Sequence, residues 1–338
     1  MDNKEEAYMH YTIQLNDLVR DAGFMPALAI VSGGKALIGV LGIALNLSLV
    51  FVTARNRYLH GPCNLLMALN AFCLAIFELS FLVSFYISVS GTNLVSLITC
   101  FYWLAVPSFM KYFTLCMMLV IGIDRLICIS LNRWHTHQFY SAYFVIMIAL
   151  CAFVGFYTMF ISYKVAVFIP DTEVTCTVSD LSQQSAGDTV FMIALILNFA
   201  AVVCYIIFAA ILKLVIKHNS TPDVKYTRTI FKSLMIIMIV DFIGWGSNSL
   251  YQKYFLVWFQ KTGLSPIEKH CIIVVYGYLF SLATLADVPV LYCCSKEYRR
   301  AYQQEFRCLT VTKTKTKTLE IKNKTQEIPI CAFSANRS

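Results

Sequence analysis

LITCFYWLAVPSFMKYFTLCMMLVIGIDRLICISL, residues 97–131, is the stretch whose reading decides the fold. Cys100 stands near its start and the pair Asp124-Arg125 near its end, with 25 positions between Cys100 and Arg125. A helix rises about 1.5 Å per residue, so those two residues lie roughly 37 Å apart. That span places a cysteine at one face of a membrane and a charged pair at the other.

The rest of the chain has the same character. Of its 338 residues, 58% are hydrophobic, 14% aromatic and only 14% charged, whereas soluble domains carry about 25% charged residues. A spanning helix needs about 20 mostly apolar residues. Seven segments qualify: 27–53, 63–89, 97–131, 142–168, 189–216, 229–250 and 271–294. They fill most of the chain. The expected fold class is all-α, an integral membrane seven-helix bundle. Residues 1–26 form a tail before it, 295–308 a short amphipathic helix after it, and 309–338 a basic tail. Residues 1–26 lack the apolar core and small-residue cleavage site of a signal peptide, so the first span should act as an uncleaved anchor. No repeat period links the segments, which argues against transporters built from duplicated halves.

Loop charges set the orientation. With the N-terminus outside, the inner loops hold Arg55, Arg57, Arg133, Lys217, Lys225 and Arg228, followed by the basic tail. The other side carries Asp171, Glu173, Asp180 and Asp188, offset by lysines such as Lys253 and Lys261. Short basic loops stay cytoplasmic. The expectation is a multi-pass plasma-membrane protein, N-terminus outside and C-terminus inside. The net charge of +8 is then a topology signal, and no nucleic-acid partner is expected.

Most of the thirteen cysteines lie inside spans, where a free thiol behaves as a small hydrophobe. Cys100, at the outer end of helix three, and Cys176, in the loop after helix four, would face an oxidising compartment where a disulfide persists. A bridge would pin that loop over the bundle mouth; two separate thiols are the other reading, and sequence does not decide between them.

Four ionisable residues fall within spans: Glu78, Lys111, Asp241 and Asp287. Intramembrane charges pair or line polar cavities. Lys111 lies 14 residues outward of Arg125 and Glu78 lies 15 outward of Cys63, both about 21–22 Å above the inner ends. A Lys111–Glu78 ion pair between helices two and three is one reading; a Lys111 that meets an acidic ligand group is another. Asp287 is expected to join Asn46 and Asn70 in a polar network, with proton transfer the sharper alternative. No enzyme signature is found: no Gly-rich phosphate loop, no paired metal ligands and no nucleophile elbow. His135 and His137 alone do not make a metal site, and no cofactor is expected.

Five motifs in order resemble the rhodopsin-type G-protein-coupled receptors: Gly42 with Asn46 in helix one, Asn64 opening helix two, Asp124-Arg125-Leu126, Pro289-Val290-Leu291-Tyr292 closing helix seven, and Ser295 through Tyr302 as the inner surface helix. More narrowly, Ile121 through Leu126 and Ser295-Lys296-Glu297-Tyr298-Arg299 resemble the nematode serpentine chemoreceptor class srsx. The resemblance implies an extracellular small-molecule or peptide ligand and a heterotrimeric G protein. It also implies that Arg125 pairs with Asp124 at rest and is freed on activation; a snorkelling interfacial arginine is the bland reading. Tyr205 and Tyr292 would hydrogen-bond the rearranged inner ends of helices five and seven, or serve only as interfacial aromatics. Trp245 resembles the aromatic at the floor of the ligand cavity, and a packed core tryptophan is equally consistent. With Glu78 and Lys111 it makes up the ligand-pocket candidates.

Several departures from the family pattern matter. Leu74 stands ten residues beyond Asn64, where an Asp is usual, which puts the relatives' sodium site in doubt. Val288 precedes Pro289, and helix six has no proline after Trp245, so its kink cannot be assumed. Leu282 replaces the Schiff-base lysine of retinal-binding relatives, and Pro107 replaces the Asp of amine receptors. An opsin role is thereby excluded, and a biogenic amine is not the expected ligand. Tyr298, Tyr302 and Phe306 recur opposite Lys296, Arg299, Arg300 and Arg307, the pattern of an interfacial helix. Cys308 at its end is a lipidation candidate. The tail's Lys313, Lys315 and Lys317 can attract anionic lipid, and its threonines, once phosphorylated, arrestin. The rival classes are a ligand-gated chemosensory channel, which predicts an inverted topology, and a membrane transporter or intramembrane enzyme, which needs no G protein.

Overall fold

The structure is a computed structural model that describes residues 13, 16–20, 22–130, 140–182, 184–218, 235–246 and 262–306. Seven bundle helices follow one another: α1 (Pro26–Arg55), α2 (Pro62–Ser90), α3 (Leu97–Ser130), α4 (Tyr140–Phe168), α5 (Gln184–His218), α6 (Met235–Gly246) and α7 (Pro266–Cys294). A short α8 (Lys296–Glu305) closes the described chain. All but α6 and α8 are long and apolar enough to cross a membrane, and α6 is a shorter apolar piece within the expected span 229–250. Arg133, Lys225, Arg228, His135, His137, Cys308 and the basic tail lie outside the described residues.

Helices are the form this composition must take, because hydrocarbon offers no partner for a backbone N–H or C=O. Pro26, Pro62 and Pro266 each sit in the first turn of a helix, where a missing N–H costs nothing. The start of α7 precedes the apolar run from Cys271 because Ser265 and Glu268 form a reciprocal capping box. The Ser265 hydroxyl accepts from the Glu268 amide at 3.3 Å, and the Ser265 amide donates to the Glu268 carboxylate at 2.9 Å. No proline follows Trp245, yet α6 is not regular: residues Phe242–Gly246 form a π-turn. Such a turn bends a helix without a proline.

The surface is inverted relative to a soluble domain. Phe153 on α4 and Phe199 on α5 are each 67% exposed, while Asn46, Glu78, Lys111, Asp124, Asp241 and Asp287 are buried. Lipid in place of water gives that arrangement.

At one mouth, Cys100 at the start of α3 is disulfide-bonded to Cys176, with Cα atoms 5.4 Å apart. Beside it two short strands, β1 (Val95–Ser96) and β2 (Glu173–Val174), pair antiparallel with Val95 opposite Val174. Residues 16–20 also dock there, although sequence suggested only a polar tail. The Asn16 amide donates to the Glu173 carbonyl at 2.6 Å, and the Arg20 guanidinium pairs with the Glu173 carboxylate at 2.8 Å. Within the α4–α5 loop, the Thr177 amide and Thr175 hydroxyl donate to Asp180 at 2.8 and 3.0 Å. Burial pushes the Asp180 carboxyl above its ordinary range, and those two donors oppose the shift.

At the other mouth, α8 folds back onto α1. The Ser48 and Tyr302 hydroxyls share a hydrogen bond at 3.0 Å, and Arg55 pairs with Glu305 at 3.2 Å. Burial pushes the Tyr302 phenol up to about 12. Tyr298 and Ala301 form the buried face of α8, which is the amphipathic division read from the sequence.

The disulfide closes a loop across 76 residues of sequence, so Cys176→Ser should cost about 2–4 kcal/mol of stability. Thermal unfolding in lipid nanodiscs checks this: Cys100→Ser should give a similar loss, and the double variant no more than either alone.

Candidate functional site

Arg125 and Asp124 lie on the last turns of α3, at the end away from the disulfide. The Arg125 Nε is 3.8 Å from the Asp124 carboxylate, and its side chain is only 15% exposed. The two side chains are thus in contact in this structure. Tyr205 on α5 is buried against the same helix: a Cβ at Gly122 would come within 2.7 Å of its ring. Arg125 and Asp241 both lie within its electrostatic reach. Pro289 sits inside α7. Tyr292, three residues on, is exposed; its ring meets Tyr302 at 6.0 Å and its carbonyl accepts from Arg299 Nε at 3.1 Å. Tyr292 thus faces α8 in this state.

Halfway up the bundle, the expected Lys111–Glu78 ion pair does not form. Glu78, 1% exposed, instead accepts from the Asn46 amide of α1 at 3.3 Å and from the Thr284 hydroxyl of α7 at 3.1 Å. The reason lies in α1. A Cβ at Gly42 would fall on the Glu78 carboxylate, so only glycine leaves room for the acid between α1 and α2. Residue counting does not give the direction Glu78 faces, which is toward α1 and α7. Glu78, one turn beyond Leu74, joins α1, α2 and α7 through these contacts.

The expected network of Asn46, Asn70 and Asp287 is split in two. Asn46 belongs to Glu78. Asn70 and Asp287, with Tyr205 and Ile237, line a separate cavity of about 20 Å³ nearer Arg125, large enough for a single water. The Asn70 and Asp287 Oδ1 atoms have no hydrogen-bond partner among the described residues.

Toward the disulfide mouth, Trp245 closes an aromatic cluster. Its ring meets Phe280 edge-on at 4.4 Å and Phe77 at 6.3 Å, and Phe77 meets Phe81 at 5.4 Å. Lys111 is 6% exposed, with its ammonium 5.3 Å from the Tyr112 ring. Another lysine, Lys35 of α1, stands 4.9 Å over the Phe81 ring, and its Nζ would be 3.3 Å from a Cβ at Gly277 of α7. Sequence reading passed over Lys35, although it is the one charge within 27–53. Thr284 was missed as well, and a lone threonine in a helix gives little to find.

Among the described residues no group of three or more His, Cys, Asp or Glu side chains could hold a metal ion. Membrane-spanning helices, a disulfide-pinned loop at one mouth and an Asp-Arg pair at the far end of the same helix define a seven-transmembrane receptor. The chain belongs to the Srsx family, serpentine-type seven-transmembrane G-protein-coupled chemoreceptors, which it matches over residues 39–306. No curated protein matches the sequence. It is accordingly a multi-pass membrane chemoreceptor, a receptor class rather than an enzyme class.

If Gly42 exists to seat Glu78, Gly42→Ala should destabilise by about 1–3 kcal/mol through overpacking. In a Glu78→Ala background the same substitution should cost much less. A double-mutant cycle of unfolding midpoints measures that coupling, and equal costs in both backgrounds would exclude the contact as the cause.

Proposed function

We propose that this receptor sits in the plasma membrane with its N-terminus outside, takes a small molecule or peptide at the disulfide mouth, and activates a heterotrimeric G protein through Arg125. The observation that carries the reading is the Arg125–Asp124 contact at the end of α3 opposite Cys100. A guanidinium so sheltered is costly near hydrocarbon unless something uses it. Its planar fork suits the carbonyls and carboxylates of an incoming protein segment.

The switch follows from the two-state nature of such bundles. A ligand shifts the equilibrium only if it binds one state better than the other. In the resting state Arg125 lies against Asp124, Tyr205 packs on Gly122, and Tyr292 is turned to α8. Activation parts Arg125 from Asp124 and brings Tyr205 and Tyr292 toward the opened inner end. Pro289 in α7 and the π-turn at Trp245 are the places where those helices can bend. Anionic lipid at the basic tail, attachment of lipid at Cys308, and arrestin on phosphorylated tail threonines complete the proposed partners.

The experiment is G-protein activation in cells, with surface expression measured in parallel. Arg125→Ala should reach the surface yet signal no more than untransfected cells, with or without ligand. Ligand-evoked current or uptake that survives Arg125→Ala without any G protein would replace this reading with a channel or transporter.

A further inference from the structure

Among the described residues, both non-glycine positions with a left-handed backbone lie at the disulfide mouth: Asn93 at φ +53° and Cys176 at φ +57°. Such conformations are uncommon outside glycine and persist where surrounding contacts fix them. Cys176 is fixed by its disulfide and by Ser84, whose hydroxyl donates to its carbonyl at 2.8 Å. Asn93, in the turn after α2, is fixed by what it holds. Its side-chain amide donates to the carbonyls of Val19 at 3.1 Å and Gly23 at 2.6 Å, and it is buried. The turn thus aims one amide at two carbonyls of the chain that precedes α1.

Residues 16–20 form a single helical turn, with the Arg20 amide donating to the Asn16 carbonyl at 2.9 Å. Val19 is fully buried in a cluster with Leu28 of α1 and Leu94 of the turn after α2, and Ile273 of α7 packs against that cluster. On the other side, Asn16 and Arg20 both bind Glu173 of β2, the first at its carbonyl and the second at its carboxylate. One short segment therefore bridges the bundle mouth from α1 and α7 to the α4–α5 loop. The Arg20 and Glu173 side chains are 54% and 37% exposed, and exposed ion pairs contribute little. Buried Val19 and the two Asn93 hydrogen bonds supply most of the hold.

The strand that Asn16 and Arg20 hold also caps α3. The Thr172 carbonyl accepts from the Leu97 amide at 2.8 Å, and the Pro170 carbonyl from the Ile98 amide at 3.5 Å. These are first-turn amides, which a helix leaves without partners of its own. Cys100, in the same turn, is bonded to Cys176 of the same loop. α3 is one continuous helix of 34 residues that carries Asp124 and Arg125 near its other end. The docked segment and the Arg125–Asp124 contact occur together in this structure, which gives the restraint its sign. We infer that residues 16–20 are an autoinhibitory strap: docked, they hold the outer end of α3 through Glu173 and favour the state with Arg125 against Asp124, and their release favours the signalling state. This rests on the receptor reading above and adds a regulation internal to the chain. A restraint shifts the two states only by the contacts that differ between them, so each strap contact removed should raise activity without ligand.

The test uses the full chain with no ligand added. G-protein activation above the untransfected background is read in cells at matched surface expression, and amide hydrogen exchange of the first turn of α3 is read in lipid nanodiscs. Asn93→Gly keeps the left-handed backbone without strain and removes both strap hydrogen bonds. It should raise ligand-independent activation about fivefold or more, the loss of two hydrogen bonds, and speed exchange at the Leu97 and Ile98 amides. Arg20→Glu should act in the same direction by about twofold or more, and adding Glu173→Arg to it should restore both readouts. The inference is overturned if the wild type signals but Asn93→Gly leaves ligand-independent activation unchanged or lower, or if the charge exchange restores nothing. Activation lost in Arg125→Ala alongside that result would leave the receptor reading intact. If no form activates a G protein, exchange decides alone: faster exchange in Asn93→Gly sustains the restraint on α3 and sinks the signalling reading, and unchanged exchange sinks both.

Discussion

A carboxylate in the hydrocarbon half of a bilayer must find hydrogen-bond donors, and Glu78 finds them on two other helices, Asn46 of α1 and Thr284 of α7. This contact ties three of the seven helices together at mid-depth, and Gly42 is the space that permits it. Association of helices in lipid relies on close packing and on such polar contacts rather than on hydrophobic burial. The bundle is thus fastened near its centre. Its two ends are treated differently: the disulfide pins one mouth, and α8 braces the other against α1.

That division suits a receptor. Between the pinned mouth and the Glu78 contact lies the Trp245 cluster, the part proposed to meet a ligand. Below it lie the small cavity with Asn70 and Asp287, then Tyr205, then Arg125. The cavity and its two polar atoms without partners leave this lower section incompletely filled, and loosely filled cores can adopt alternative packings where dense ones resist them. A shift at the Trp245 π-turn would be felt there first. The contacts that differ between states, more than the distance between the sites, are what coupling requires.

How much was legible from the sequence depended on whether a feature has a one-dimensional signature. The Cys100-to-Arg125 spacing encodes membrane thickness, so helix three and its polarity followed from counting, whereas the pairing of Cys100 with Cys176 was one of two readings until the structure joined them. The two faces of α8 followed from helical periodicity in Tyr298, Tyr302 and Lys296. Facing directions did not follow. Counting assigned Lys111 and Glu78 similar depths, but rotation about the helix axis turns Glu78 toward α1, and that rotation depends on a glycine in a different segment. Polar side chains such as Asn46, Asn70 and Asp287 fit one network on paper and two in space for the same reason. The π-turn in α6 left no proline to betray it. The start of α7 was legible in Ser265-Pro266-Ile267-Glu268, but hydropathy from Cys271 onward drew attention away from the capping box. Lys35 was visible and unremarked, because a single lysine in a first span reads as snorkelling until its neighbours are known.

The central claim is that Arg125 exchanges its resting partner for a G protein. The most direct measurement is a structure of the receptor bound to a nucleotide-free heterotrimeric G protein, determined by electron cryomicroscopy. The account predicts Arg125 drawn away from its 3.8 Å contact with Asp124 and placed against the inserted G-protein segment, with Tyr205 turned in beside it. A complex in which Arg125 remains on Asp124 and touches nothing of the G protein would contradict the account, as would the failure of any G protein to bind that face.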